Sequence, residues 1–277
     1  MKTILLHVQN DAGVVQRLET ALSLARACGA HLDCLQVTQM EAYVAVAPTD
    51  NFGGVLSVSD AIKASTNEEV QLRLRVEEKL RSEDATWDYS QVTGDPSMHL
   101  IRHAALTDLT VIGREPQGDD FTKPTLGLLG DLLHQSSTPL FIPAMTSPLT
   151  DPTGSAAIAW DASREAANAV KAAVGLLRFA SDVRVIQVRE QEKDEELPAI
   201  RLLEYLSRYG IKADVHVEPF TGSREAIADV VVDFAKNMAA DYIVMGGHRR
   251  GVIRRYLFGG VTQTLLTDCP LPLFIAN

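Results

Sequence analysis

The strongest chemical signal in this chain is a glycine and arginine run, Gly246-Gly247-His248-Arg249-Arg250-Gly251, which continues through Val252 to Phe258 into Gly259-Gly260-Val261-Thr262. Glycine turns let backbone amides approach an anion closely, and a helix opening beside them adds its N-terminal N–H groups and dipole. The chemistry suggested is therefore phosphate binding. Ligands of open parallel sheets sit beyond the carboxyl ends of the strands. Two more strand ends then matter, Asp161 after the apolar run Ala156 to Trp160 and Val188 at the end of Val183 to Val188. Each residue also has a plainer role open to it. Asp161 beside Ser163 can be a helix N-terminal acceptor, and Gly246 can simply end a strand. Arg249, Arg250, Arg254 and Arg255 are either a solvated helix face or a phosphate clamp, and His248 by itself fits a surface position.

Other chemistry is missing from the sequence. It has no G-x-x-x-x-G-K-[ST] loop, no H-E-x-x-H helix, no G-x-S-x-G elbow and no metal-spaced cysteines. His99 and His103 stand four apart on an expected helix, a spacing that can hold a metal, but no third ligand accompanies them.

The elements that must position these residues occur twice. Thr138-Pro139-Leu140-Phe141-Ile142 is echoed by Leu271-Pro272-Leu273-Phe274-Ile275 at an offset of 133. The same offset superposes Asp108 to Gly113 on Asp241 to Gly246, Gly127 on Gly260, and Leu132-Leu133 on Leu265-Leu266. Further upstream, Leu6 to Asp11 matches Ile158 to Ser163, and Thr93-Gly94 matches Thr221-Gly222. Each half reads as five apolar strands alternating with amphipathic helices, the pattern of a parallel sheet covered on both faces. In the second half, helices are expected over 163–179, 195–209, 224–236 and 253–267, with strands over 156–160, 183–188, 212–217, 242–245 and 273–276. The first half follows the same order, with an added segment from Met40 to Ser59 expected to be a long loop. Thr146 to Gly154, rich in proline and small polar residues, reads as an extended linker. The domains expected are 1–145 and 154–277.

Size and charge agree with two units. The chain has 277 residues, long for one domain, and a net charge of −10. That balance argues against nucleic acid as the default partner, because phosphate backbones demand clustered Lys and Arg. Cys28, Cys34 and Cys269 form no C-x-x-C pair and lie in or beside apolar segments, as in a reducing compartment. The apolar opening Ile4 to Val8 is too short for a signal peptide, and no stretch approaches the roughly 20 apolar residues of a membrane helix. A cytoplasmic location is expected.

With these motifs in place, the sequence resembles the universal stress protein family, in particular its tandem-domain members. ATP-binding members carry an aspartate after the first strand and a G-x-x-G-x9-G-[ST] signature after the fourth. Gly246 fits the first glycine and Gly259 the third, while Arg249 stands where the second glycine belongs and Gly260 where Ser or Thr belongs. The resemblance implies a Rossmann-like α/β fold of two five-stranded parallel domains, whose last strands pair antiparallel as an internal pseudo-dimer. It implies an adenine nucleotide site, ATP or AMP with or without magnesium. Its residues would be Ala159, Trp160, Asp161, Val188, Met245, Gly246, His248, Arg249, Gly259, Gly260, Val261 and Thr262. Asp161 would accept from the nucleoside, Val188 would line the adenine slot, and Gly246 to Gly260 would wrap the phosphates.

The first half departs further. Gln9 replaces the aspartate, Gly113-Arg114-Glu115-Pro116 replaces the glycine loop, and Asp119-Asp120 add negative charge, so no nucleotide is expected there. The leading expectation is a regulatory, stress-associated nucleotide binder. The alternatives are a ligand-free interaction protein that binds a protein partner, and a slow ATPase. A homodimer and an RNA-binding role for the arginine cluster also stay open.

Overall fold

The computed structural model describes residues 1–39, 54–114, 127–144, 151–189, 197–223, 226–247 and 260–277, with the backbone alone for 54–66. In chain order the first half holds β1 (Thr3–Val8), α1 (Val14–Cys28), β2 (His31–Thr38), α2 (Gly54–Arg81), β3 (Trp87–Thr93), α3 (Pro96–Ala104), β4 (Leu109–Val111), α4 (Gly127–Gln135) and β5 (Leu140–Ile142). The second half repeats the order with β6 (Ser155–Ala159), α5 (Arg164–Leu177), β7 (Asp182–Arg189), α6 (Ala199–Arg208), β8 (Asp214–Pro219), α7 (Ala226–Asn237), β9 (Tyr242–Gly246), α8 (Gly260–Asp268) and β10 (Leu273–Ala276).

These strands form one ten-stranded sheet in the order β3-β2-β1-β4-β5-β10-β9-β6-β7-β8. Every neighbouring pair is parallel except β5 with β10. The antiparallel seam places Phe274 opposite Phe141, the two residues that the sequence repeat itself equates. An internal twofold therefore passes through this pair, and the expected α/β fold with an internal pseudo-dimer is what the chain adopts. Because the halves run oppositely, their carboxyl edges lie at opposite ends of the sheet.

The near-continuous apolar strands follow from burial on both faces. One face packs Ile4, Leu6, Phe141, Ile158, Val244 and Phe274 against α1, α2, α5 and α6. The other packs Leu5, Leu140, Ala157, Ile243 and Ile275 against α3, α4, α7 and α8. Each of these clusters crosses the seam. The repeated aspartates have a shared structural task. Asp108 accepts from the Lys2 and Thr3 amides at 2.5 and 3.1 Å, and Asp241 accepts from the Ser155 amide at 2.9 Å, so each pins the start of its half's first strand. Those amide bonds, the one from Lys2 foremost, hold the Asp108 carboxyl below its ordinary range. All three cysteines are free and buried, as expected of small apolar side chains.

Two expectations need correction. Residues 40–53 of the expected Met40 to Ser59 loop lie outside the described residues, but the rest of it, from Gly54, is already helical. Leu72, Val76 and Leu80 anchor α2 on the core, and with no proline from 54 to 81 the helix propagates back from that anchor. The end of the linker is also not extended. Asp151 accepts from the Thr153 amide and hydroxyl at 2.8 and 2.7 Å through its side chain, and from the Gly154 amide at 3.1 Å through its carbonyl, closing a turn before β6.

Candidate nucleotide site

In the second half β6 lies between β9 and β7. The chain leaves β6 toward β7 on one side and later returns to β9 on the other, so the carboxyl ends of β6 and β9 flank a topological switch point, where open α/β sheets bind ligands. Registration brings the expected residues to this edge: Ala159 pairs with Ile186, two residues before Val188, and Ile158 pairs with Val244, just before Met245 and Gly246. Ala159, Val188 and Val261 are partly buried on the α7 and α8 face beside Met245, forming an apolar floor with Ile227. Trp160 belongs to the opposite face. Its side chain is 4% exposed and its indole N–H donates to the Leu197 carbonyl at 3.2 Å.

The turn after β6 is tightly specified. The Trp160 amide donates to the Ile186 carbonyl at 2.9 Å, and Ala162 takes a left-handed φ of 61°, a conformation unfavourable for a residue with a Cβ. Asp161 Oδ1 accepts from the Ser163 amide at 3.1 Å, and Ser163 in turn caps α5 by accepting from the Ala166 amide at 3.1 Å. The plainer role foreseen for Asp161 is thus present, on an exposed carboxylate.

Gly246 has a steric role at this site. A Cβ there would come within 2.5 Å of the Ala166 amide nitrogen and 2.7 Å of the Glu165 carbonyl carbon, so only glycine lets β9 end against the first turn of α5. Across the crevice, Gly260 is exposed at the first described turn of α8, Val261 is partly buried, and Thr262 is 4% exposed. The described part of α8 begins at Gly260, and the N-terminal amides of a helix and its positive dipole end favour an anion. His248, Arg249 and Gly259 lie outside the described residues, as do Arg250, Arg254, Arg255 and the start of the helix expected from 253.

The family model described as the universal stress protein family matches residues 155–277. Over these residues the chain is similar to the universal stress protein family. Over its whole length it shares a fold with a universal stress protein from Archaeoglobus fulgidus DSM 4304, at a TM-score of 0.75 and 17% identity, covering 99% of this chain and 98% of that one. A Pseudomonas aeruginosa UCBPP-PA14 protein assigned to the same family aligns with a TM-score of 0.60 and 16% identity over 100% of this chain and 93% of its own. A functionally unknown protein from Pseudomonas aeruginosa PAO1 gives 0.59 and 17%, over 100% and 92%. No curated protein matches the chain in sequence.

At the matching place in the other half, the structure shows a residue that sequence reading passed over. Arg17, 2% exposed, grips Asp11 with Nη1 at 2.9 Å to both carboxylate oxygens, and donates to the His7 and Gln9 carbonyls at 3.2 and 2.9 Å. Its guanidinium also lies directly against Gly113, the counterpart of Gly246. In the second half the aligned position is Ala169, and α5 itself meets the glycine. An arginine facing an aspartate six residues earlier was the available signal. No group of three or more potential metal ligands occurs among the described residues, His99 and His103 included. No described helix is long and apolar enough to cross a membrane.

Proposed function

We propose that this chain binds an adenine nucleotide, ATP or AMP with or without magnesium, at the crevice between β6 and β9, with a regulatory rather than catalytic consequence in a cytoplasmic stress response. The observation that carries this reading is the convergence at one switch point of Asp161, the apolar floor of Ala159 and Val188, the glycine end of β9 and the first described turn of α8. Asp161 would receive nucleoside hydroxyls. The floor would receive the base, and Gly260, Val261 and Thr262 would face the phosphates, with Gly246, His248, Arg249 and Gly259 completing the loop. Arg249 would supply by its guanidinium what the family's second glycine supplies by backbone amides.

A second reading rests on the bond from the Ser163 amide to Asp161. An aspartate committed to its own turn, together with Arg249 and Gly260 in place of the signature residues, suits a protein whose site has decayed and whose surfaces bind a protein partner. Calorimetric titration of ATP and AMP, with and without magnesium, separates the two. The nucleotide reading expects one saturable site per chain, weakened at least tenfold in Asp161→Ala and in Gly259→Leu. Heat-silent titrations, with no nucleotide co-purified by mass spectrometry, would leave the interaction protein.

A further inference from the structure

Two side chains cross the seam, Arg114 from the first half and Asn277 from the second. Arg114 follows Gly113 just as Gly247 follows Gly246. From the carboxyl end of β4, Arg114 donates through Nη1 to the Cys269 carbonyl and through Nη2 to the Leu271 carbonyl at 3.1 Å, holding the carbonyls that follow α8. A cation at a helix C-terminus also complements the helix dipole. In the second half no side chain stands at 247, and the vacated space is filled by Asn277. The Gly247 amide donates to the Ala276 carbonyl at 2.8 Å, and a Cβ on Gly247 would run into Asn277 Oδ1. The same Asn277 amide group donates through Nδ2 to the carbonyl of Leu133, in the last turn of α4. Among the described residues, Asn277 Oδ1 and Arg114 Nε are buried without a hydrogen-bond partner, so the bonds through Asn277 Nδ2 and the Arg114 Nη atoms are those that hold each side chain.

The consequence is directional. Asn277 lies on the carboxyl edge of the second half, against the first residue beyond β9. Arg114 lies on the opposite edge, at the end of α8 far from Gly260. We propose that Asn277 and Arg114 are positioning residues through which the first half frames the nucleotide site of the second, so that occupancy at Gly246-Gly247 and Gly260 is felt at the end of α4. This rests on the function proposed above, but the mechanical link between Gly247 and α4 is testable without ligand.

Hydrogen exchange at the last turn of α4, residues 132–136, is the readout, in wild type, Asn277→Ala, Gly247→Ala and the double variant. Loss of the bond to Leu133 should speed exchange there about fivefold, the equivalent of one ordinary hydrogen bond. Gly247→Ala should do the same by displacing the Asn277 amide, and should add nothing once Asn277 is already alanine. Additive effects, or an unchanged α4 in Gly247→Ala, would overturn the link whatever nucleotide does. Saturating ATP should slow exchange at 132–136 in wild type and not in Asn277→Ala. Arg114→Lys, which keeps the charge without the two-pronged geometry, should weaken ATP about as much as Arg114→Ala. Bound ATP with an indifferent α4 would overturn the proposal while leaving the binding reading intact. Absent ATP binding would sink the binding reading, and the ligand-free cycle would then decide the link alone.

Discussion

At the scale of single residues, the carboxyl ends of β1 and β6 are built differently. After β1, the buried Arg17 holds Asp11, so removing the guanidinium strands the carboxylate and the His7 and Gln9 carbonyls. Arg17→Ala should therefore cost about 3–5 kcal/mol in urea unfolding. His7, 3% exposed next to this pair, is driven down to about 3, first by burial and then by Arg17. A histidine kept neutral in the fold takes up a proton on unfolding near its ordinary 6.5, so its contribution is present above that value and is lost as pH falls toward 3. Unfolding free energy should drop by about 2 kcal/mol between pH 7 and 5 on this account. His7→Gln should flatten that slope, and an equal slope in the variant would assign the acid sensitivity elsewhere.

At the scale of elements, the decisive contact is β9 ending on the first turn of α5. Gly246→Ala must push the Ala166 backbone aside and should cost about 1–3 kcal/mol, while the counterpart Gly113→Ala meets the buried guanidinium of Arg17 instead. Guanidinium unfolding of Gly246→Ala measures the loss, and an unchanged stability would contradict the backbone contact. Ser163→Ala, which removes the N-cap of α5, should cost about 1 kcal/mol. The repeat and the apolar runs made most strands and helices legible. The exceptions have physical causes. The extent of α2 was hidden because residues 54–59 have no strong pattern of their own and are helical by continuation from Leu72, Val76 and Leu80. The linker's end was hidden because Asp151 folds it locally.

At the scale of the molecule, the seam makes the halves one sheet with clusters running through it on both faces. Phe141 sits on the internal twofold, 6.1 Å between ring centroids from Tyr242 and paired with Phe274. Phe141→Ala should cost about 3–5 kcal/mol and should raise hydrogen exchange in β9 as well as in β4. An effect confined to the first half would mean that the halves unfold independently.

The sequence by itself determined the repeat, the alternation of buried strands and amphipathic helices, and the strand ends at which chemistry could sit, because burial on two faces and glycine at close approaches leave marks on residue type at fixed spacing. Only the tertiary structure decided that Trp160 turns to the opposite face, that Gly246 is required by the α5 backbone, that Arg17 holds Asp11 after β1, and that Arg114 and Asn277 cross the seam. Those outcomes depend on which side chains and carbonyls from distant parts of the chain meet, and no local pattern encodes that.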